Sequence, residues 1–141
     1  MYTKFQVTAS VSIPDEHGEK KVKPQTYVVD AMSFIEAETR IREVIGSEII
    51  DITAIKGVKY AEIYDGQKES FFTVQFNELF IDDKTDKQKK TKFQCLVNAD
   101  HIEEAKTLFL NHYQTMADFE ITSIKQTNII EYIPAKKDSD E

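Results

Sequence analysis

Cysteine, glycine and proline are all scarce in this chain of 141 residues, which contains one, four and three of them. The single cysteine, Cys95, has no second cysteine with which to form a disulfide inside the chain. The glycines are isolated from one another, so the sequence lacks the glycine-rich loops that hold nucleotide phosphates. Nucleotide-dependent enzymes are therefore not indicated.

Long apolar runs and a strong excess of basic residues are also missing. No stretch reaches the roughly 18 apolar residues that mark a membrane span, and no basic segment followed by an apolar one marks a signal peptide. We therefore expect a cytoplasmic protein with no membrane partner. The net charge of −7 is shared by both halves of the chain, so neither half is a basic arm for nucleic acid.

What the sequence does contain is an internal repeat. Residues 29–41 match residues 97–109 at five of thirteen positions, and residues 52–63 match residues 121–132 at five of twelve. The two blocks occur in the same order, at offsets of 68 and then 69 residues. This pattern indicates that one folding unit has been duplicated.

Each copy is predicted to be a β-β-α-β unit. In the first copy, alternating apolar residues predict strands at 5–13 and 22–29, with a polar turn between them. Ser33 and Glu36 form a capping box that predicts the start of a helix. Apolar alternation then resumes at residue 50 and predicts a long third strand, with a bulge or bend at Gly57, that runs to about Tyr64.

The second copy repeats these elements, with Asp100 and Glu103 as its capping box. Helical spacing predicts that the buried stripe of the first helix includes Phe34, Ala37 and Ile41, and that Arg40 lies on the solvent-exposed face. The matching stripe of the second helix contains four residues: Ile102, Ala105, Phe109 and Tyr113.

The predicted fold class is α+β, with an approximate internal two-fold axis. Two arrangements remain open: two antiparallel three-stranded layers, or one six-stranded sheet with both helices on one face. The predicted boundaries are 1–64 for the first repeat, 65–70 for a linker, 71–133 for the second repeat and 134–141 for a disordered charged tail. The short linker favours one compact unit over two independent domains.

The repeated blocks also resemble a known family. The resemblance is carried by YVVDAMSFIEAETRI (27–41), ITAIKGVKYAEIY (52–64), the stretch 72–92, CLVNADHIEEA (95–105) and MADFEITSIKQTNIIEY (116–132). These segments resemble the uncharacterised bacterial family named domain of unknown function 4494. The resemblance implies a source among Bacteroidota, a gene near phage or mobile-element genes, and a small accessory protein. It assigns no catalytic or binding residue.

Residues that could bind a metal or catalyse a reaction do not form a site in the sequence. His101 and His112 share a helical face but lie roughly 16 Å apart along the axis, whereas zinc ligands lie about 2 Å from the ion. Cys95 alternates with Phe93 and Val97, which predicts a buried structural thiol. We therefore predict no catalytic residue, no metal, no cofactor and no enzymatic activity.

Lysines cluster at the turn of both predicted hairpins: Lys20, Lys21 and Lys23 in the first copy, and Lys84, Lys87, Lys89, Lys90 and Lys92 in the second. They could contact the phosphate backbone of a nucleic acid. Alternatively, they are solvated residues that protect strand edges from aggregation. The acidic residues interspersed in both loops favour the second interpretation.

Adjacent apolar residues on predicted strands indicate an exposed partner surface, since Phe71 and Phe72 cannot share one face of a regular strand. The candidate surface residues are Tyr27, Tyr60, Phe71, Ile130 and Tyr132. The leading hypothesis is an interaction module that binds a protein, either a second copy or another chain. The alternative is a nucleic-acid-binding protein of phage or mobile-element DNA metabolism that uses the lysine-rich loops.

Overall fold

In a computed structural model that describes residues 2–135, the chain forms eight β-strands and two α-helices. In chain order these are β1 Thr3–Pro14, β2 Lys20–Ala31, α1 Phe34–Ile45, β3 Ile49–Val58, β4 Ile63–Tyr64, β5 Ser70–Ile81, β6 Gln88–Ala99, α2 Ile102–His112, β7 Asp118–Gln126 and β8 Ile129–Ile133. A short 3-10 helix, Gly46–Glu48, follows α1. The described chain divides into unit 1, made of residues 2–59 and 128–135, and unit 2, made of Tyr60–Thr127.

Unit 1 contains a four-stranded sheet in the order β3-β1-β2-β8. β1 pairs antiparallel with both β2 and β3, whereas β8 lies parallel to β2. Alternate residues of β1, among them Phe5, Val7 and Ala9, are buried in one cluster with Ala37 and Ile41 of α1. The alternation in β1 arises because this face packs on the helix while the residues between point away from it.

Unit 2 repeats this arrangement in the order β4-β6-β5-β7, with β4 parallel to β6. Its core is more aromatic than that of unit 1, because Phe76 stands where unit 1 has Ala9. The ring of Phe76 lies 5.0 Å from that of Phe109 and 4.7 Å from that of Tyr113. Cys95 is fully buried in the same cluster.

The predicted α+β class is confirmed, and the strands form two sheets. Each sheet contains the three antiparallel strands expected from one repeat and a fourth, parallel strand that comes from the other repeat. The prediction of one long third strand is therefore wrong about its continuity. It is two strands, because β3 ends at Val58 and the chain continues into unit 2, where β4 pairs with Leu96 and Val97. In the same way, β7 ends in unit 2 and β8 pairs in unit 1.

A buried polar side chain anchors the segment that follows each fourth strand. In unit 1, Asp30 Oδ2 accepts hydrogen bonds from the Tyr132 hydroxyl at 2.7 Å and from the Ala135 N–H at 3.1 Å. In unit 2, Asn98 Oδ1 accepts from the backbone N–H groups of Gly66 and Lys68. Because Asp30 and Asn98 occupy matching positions in the repeats, both units hold the incoming chain at the same place.

The helix starts agree with the sequence in the first copy and differ by one residue in the second. Ser33 Oγ accepts from the Glu36 N–H at 3.1 Å, as predicted. In the second copy the N-cap is His101, whose Nδ1 accepts from the Glu104 N–H, instead of the predicted pair of Asp100 and Glu103. The imidazole nitrogen supplies the acceptor that a serine or aspartate supplies at most N-caps.

Arg40 lies on the buried side of α1 instead of the predicted solvent-exposed face, with only 9% of its surface exposed. Its guanidinium donates to the carbonyl oxygens of Asp30 at 2.9 Å and Pro134 at 2.7 Å. These two bonds compensate part of the cost of burying the charge. By contrast, Phe34 and Ile102, which were placed in the buried stripes, are exposed because they lie in the first turn of their helices.

The first residues of the predicted disordered tail are bound to unit 1. Pro134 accepts from Arg40, and Ala135 donates to Asp30. The rest of the predicted tail, 136–141, lies outside the described residues.

Candidate interaction site

Both hairpins extend beyond the strands that flank them. In unit 2, β7 pairs with β5 only as far as Leu79, and β4 pairs with β6 only at Leu96 and Val97. Residues 80–93, here called the second arm, are therefore paired only with each other. The equivalent segment of unit 1, residues 12–25, is called the first arm.

The turn at the end of each arm is built by an aspartate. Asp15 Oδ1 accepts from the N–H groups of His17 and Glu19, both at 2.9 Å, and Gly18 takes a φ of 81°. Asp82 Oδ1 accepts from the Lys84 N–H at 2.8 Å. These carboxylates are therefore part of the turn chemistry that lets each hairpin reverse direction.

All eight candidate lysines are exposed on these two arms. Two of them are already paired within the protein. Lys89 Nζ lies 2.8 Å from Asp82 Oδ2, and Lys90 Nζ lies 2.9 Å from Glu120 Oε1. The hydrogen bond from Lys89 lowers the pKa of Asp82, and those from Lys90 and Asn77 lower the pKa of Glu120.

The other six lysines have no ion pair within 4 Å among residues 2–135. They are Lys20, Lys21 and Lys23 on the first arm, and Lys84, Lys87 and Lys92 on the second. The cationic surface is thus smaller than the lysine count alone suggests, and it is divided between the two units.

The second arm also carries exposed apolar side chains. Phe80 is 46% exposed and Ile81 is 66% exposed, near the tip of the hairpin. Because neighbouring residues on a strand point to opposite faces, Phe80 lies on the core-facing side of the arm and Ile81 on the other. Phe93 lies on the same side as Phe80 and stacks on Phe76, with 5.8 Å between the ring centroids. The arm therefore combines aromatic, aliphatic and cationic groups.

Phe80 and Ile81 were not selected from the sequence. The signal was available, because two successive apolar residues just before a polar turn cannot both face the core. The same argument selected Phe71 and Phe72, but there the structure contradicts the predicted exposure. Phe71 is only 3% exposed, since the face it shares with Leu96 and Asn98 is buried at that end of the sheet.

The other four predicted partner-surface residues differ in exposure. Tyr27 is a second correction, because it is 2% exposed and packs in the unit 1 core beside Val29. Tyr132 is half-buried and donates to Asp30. Tyr60 is half-buried in unit 2, where burial raises the pKa of its hydroxyl. Ile130 is exposed at 49% on β8.

The edge of β6 next to β4 is only partly covered. The Ala61 N–H donates to the Gln94 carbonyl at 2.7 Å, and the Leu96 N–H donates to the Glu62 carbonyl at 3.0 Å. β4 and the residues before it therefore cover β6 from Gln94 toward its C-terminus. Residues 88–92 have no strand beside them on that side within the described chain.

The ionisable groups in the core of unit 2 are held neutral. Burial raises the pKa of the Cys95 thiol to about 11, and burial also raises the pKa of Tyr64 to about 12. The Tyr113 hydroxyl donates to Glu78 at 2.7 Å. The pKa of Tyr113 is also raised, chiefly by burial and secondly by this hydrogen bond. A neutral, fully buried thiol is a packing group and a poor nucleophile.

A cleft of about 210 Å³ lies in unit 1 beside α1, lined by Tyr2, Glu36, Thr39, Arg40 and Glu43. It is smaller than the roughly 300 Å³ at which small-molecule sites begin. Within residues 2–135, no group of three or more His, Cys, Asp or Glu side chains is arranged to hold a metal ion. No helix in the same range is long and apolar enough to cross a bilayer.

Comparisons with known proteins place the chain in a family. No curated protein and no solved structure matches it. The family model described as "Domain of unknown function (DUF4494)" matches residues 3–135, which include both units and all the strands and helices described above. The chain is therefore a member of the DUF4494 family.

Proposed function

We propose that this chain is a non-enzymatic protein-interaction module and that the second arm is its contact surface. The observation that carries the proposal is the exposure of Phe80 and Ile81 at the end of a two-stranded arm. Exposed apolar patches rimmed by polar residues are typical of surfaces that bind another protein. The first arm has a smaller apolar surface, in which Val22 is the large exposed side chain.

A matched pair of variants tests this proposal. Ile81→Ser removes the most exposed apolar group of the second arm, at 66%, and Ile35→Ser removes an even more exposed one, at 78%, from α1. Purified full-length variants would be used to capture partners from the lysate of the native host, with quantification by mass spectrometry. We expect at least one protein to be captured by the parent chain and by Ile35→Ser but lost with Ile81→Ser. Equal capture by all three chains would overturn the proposal.

The six lysines without an ion pair keep nucleic-acid binding as a second candidate function. If all six contacted phosphates, the logarithm of affinity would fall with the logarithm of salt concentration with a slope of about −5. Fluorescence anisotropy with single- and double-stranded DNA over a salt series measures this slope. The protein-binding proposal predicts no binding at low salt, and a slope that falls when Lys84, Lys87 and Lys92 are changed to glutamine would support the alternative.

The family resemblance favours a biological setting for either function. We propose that the chain is a cytoplasmic accessory protein of a bacterial phage or mobile element, with Bacteroidota as the source. The genes that flank this one test the setting. Neighbouring phage or transfer genes would support it, whereas a conserved position among housekeeping genes would contradict it.

A further inference from the structure

The second arm has a strand edge whose outward-pointing backbone N–H and C=O groups have no strand beside them among the described residues. Backbone groups on a strand point to alternate sides with a period of two residues. Because Gln94 and Leu96 point toward β4, the N–H and C=O groups of Gln88, Lys90 and Lys92 point to the same side. Residues 88–92 are all exposed, and we call this stretch the open edge. Five residues of strand span about 17 Å, which is enough to pair with a short extended peptide.

The first arm shows how the same edge is blocked. Lys92 pairs with Asn77 in the β5-β6 ladder, and the matching pair in unit 1 is Pro24 with Ser10. Proline has no N–H, so the first arm lacks the outward donor that Lys92 provides. Proline on an edge strand also discourages the addition of another strand. This edge is therefore blocked by Pro24 in unit 1 and is open at Lys92 in unit 2.

Side chains on the two faces of the open edge differ in chemistry. Lys90 and Lys92 lie on the face that points away from the core, and Lys92 has no ion pair to any residue the structure describes. The core-facing side chains of the open edge are Lys89 and Thr91, and the partly exposed ring of Phe93 follows them on the same side. A strand added here would place alternate residues near Lys92 and the others near Thr91 and the ring of Phe93. The complementary sequence is one in which acidic and apolar residues alternate.

We propose that the open edge binds an extended partner segment of alternating acidic and apolar residues as an additional β-strand. This inference rests on the proposed function, because it assigns a partner chemistry to the second arm. Main-chain hydrogen bonds from Gln88, Lys90 and Lys92 supply affinity, and the side chains of Lys92 and Phe93 select the sequence. Strand addition of this kind uses the backbone for affinity and alternate side chains for specificity.

The test uses the full chain and a fluorescein-labelled peptide of about eight residues in which glutamate and valine alternate. Fluorescence anisotropy gives the Kd. Lys92→Pro removes the edge donor and the charge, whereas Lys92→Gln removes only the charge. We expect Lys92→Pro to raise the Kd at least about tenfold and Lys92→Gln to raise it less than about threefold, because the backbone bonds carry most of the affinity.

Pro24→Lys provides the reverse experiment, because it restores an outward N–H to the first arm. We expect it to add a second binding site, so that the peptide stoichiometry rises from one to two. Lys92→Pro should keep the circular dichroism spectrum and unfolding midpoint of the parent chain, since unit 1 already accommodates proline at the equivalent position. Equal effects of Lys92→Pro and Lys92→Gln would overturn strand addition, as would binding of an oligonucleotide in place of the peptide.

The two proposals can fail separately. If Ile81→Ser abolishes partner capture and Lys92→Pro leaves both capture and peptide affinity unchanged, the second arm is a contact surface and strand addition is wrong. If neither variant changes capture, the second arm is not the contact surface and both proposals are wrong.

Discussion

Asp30 and Asn98 show how one position in the repeat solves the same structural problem with two chemistries. Asp30 needs only to accept hydrogen bonds, and Lys4 Nζ lies 3.6 Å from its second oxygen. Asn98 must also donate, because its Nδ2 bonds to the carbonyl oxygens of Lys68 at 3.1 Å and Ser70 at 2.8 Å. An amide can do both, whereas a carboxylate can only accept.

This difference predicts that the two residues cannot be exchanged symmetrically. Asn98→Asp places a buried carboxylate against two carbonyl oxygens, and we expect the free energy of unfolding to fall by about 2 to 4 kcal/mol. Asp30→Asn keeps an acceptor for Tyr132 and Ala135 and should cost about 1 kcal/mol. Urea denaturation at neutral pH measures both, with the exposed Asn128→Asp as control. Equal losses from both exchanges would show that the donor function of Asn98 is unimportant.

The buried thiol predicts a loss of stability at alkaline pH. The pKa of Cys95 rises from 9.0 to about 11 in the folded chain. The stabilising effect is therefore complete below pH 9 and is lost between about pH 9 and 11, because the unfolded chain ionises first. The loss is on the order of 2 kcal/mol. Urea midpoints of the parent chain and of Cys95→Val, measured under reducing conditions across this range, isolate the contribution from those of the tyrosines. Parallel pH profiles would contradict the prediction.

At the scale of elements, β8 shows what a strand from one repeat contributes to the unit formed mainly by the other repeat. Ile133 is buried in the unit 1 core, whereas Ile130, three residues earlier on the same strand, is half exposed. β8 pairs with β2 at four positions, so its removal would leave both the backbone and the core of unit 1 uncovered. The strand is thus part of the unit 1 core even though its sequence belongs to the second repeat.

A matched pair of isoleucine variants tests this role. Ile133→Ala should lower the free energy of unfolding by about 2 to 4 kcal/mol, because it deletes buried apolar groups and leaves a cavity. Ile130→Ala should change it by less, about 0.5 kcal/mol, because about half of the side chain is already in solvent and no core cavity is created. Urea denaturation of both variants gives the comparison. Losses of the same size would mean that β8 does not seal the core.

The sequence predicted most elements because their patterns are local. Alternation in β1 and β5 and the capping pair of Ser33 and Glu36 depend on neighbours within a few residues. The breaks at 59–62 and 127–128 depend on which sheet the chain joins next, and apolar patterning does not contain that information. Arg40 was misplaced for the same reason, since its partner Pro134 lies 94 residues away.

The candidate site was predicted only in part, again for a physical reason. The lysines were found because their clustering is visible in the sequence, but the pairing of Lys90 with Glu120 requires the fold to bring residues 30 positions apart together. The open edge could not be inferred, because only the three-dimensional structure shows that β4 and the residues before it cover β6 no further than Gln94. Only Pro24 gave a direct sequence signal, by marking one strand edge as closed.

At the scale of the whole molecule, the sequence repeats and the structural units are not the same segments. Each repeat begins in one unit and ends in the other, since β4 follows β3 along the chain and β8 follows β7. The first repeat alone would lack β8, and the second alone would lack β4. Neither repeat therefore contains a complete four-stranded sheet, and the exchange provides a structural reason for keeping two copies in one chain.

Reciprocal exchange predicts that the two repeats stay together after the peptide chain between them is cut. A protease site inserted between Asp65 and Gly66, in an exposed loop and before the residues that Asn98 holds, allows cleavage of the folded full-length protein. After cleavage, β4 and β8 still pair with strands of the other fragment, so we expect one species on gel filtration that contains both fragments in equal amounts. The same cleaved protein carrying Ile133→Asp should separate, because an aspartate in the unit 1 core would expel β8 and remove its pairing with β2. Ile130→Asp is the matched control and should remain associated. Separation of the cleaved parent chain, with neither variant added, would show that the exchanged strands do not hold the repeats together.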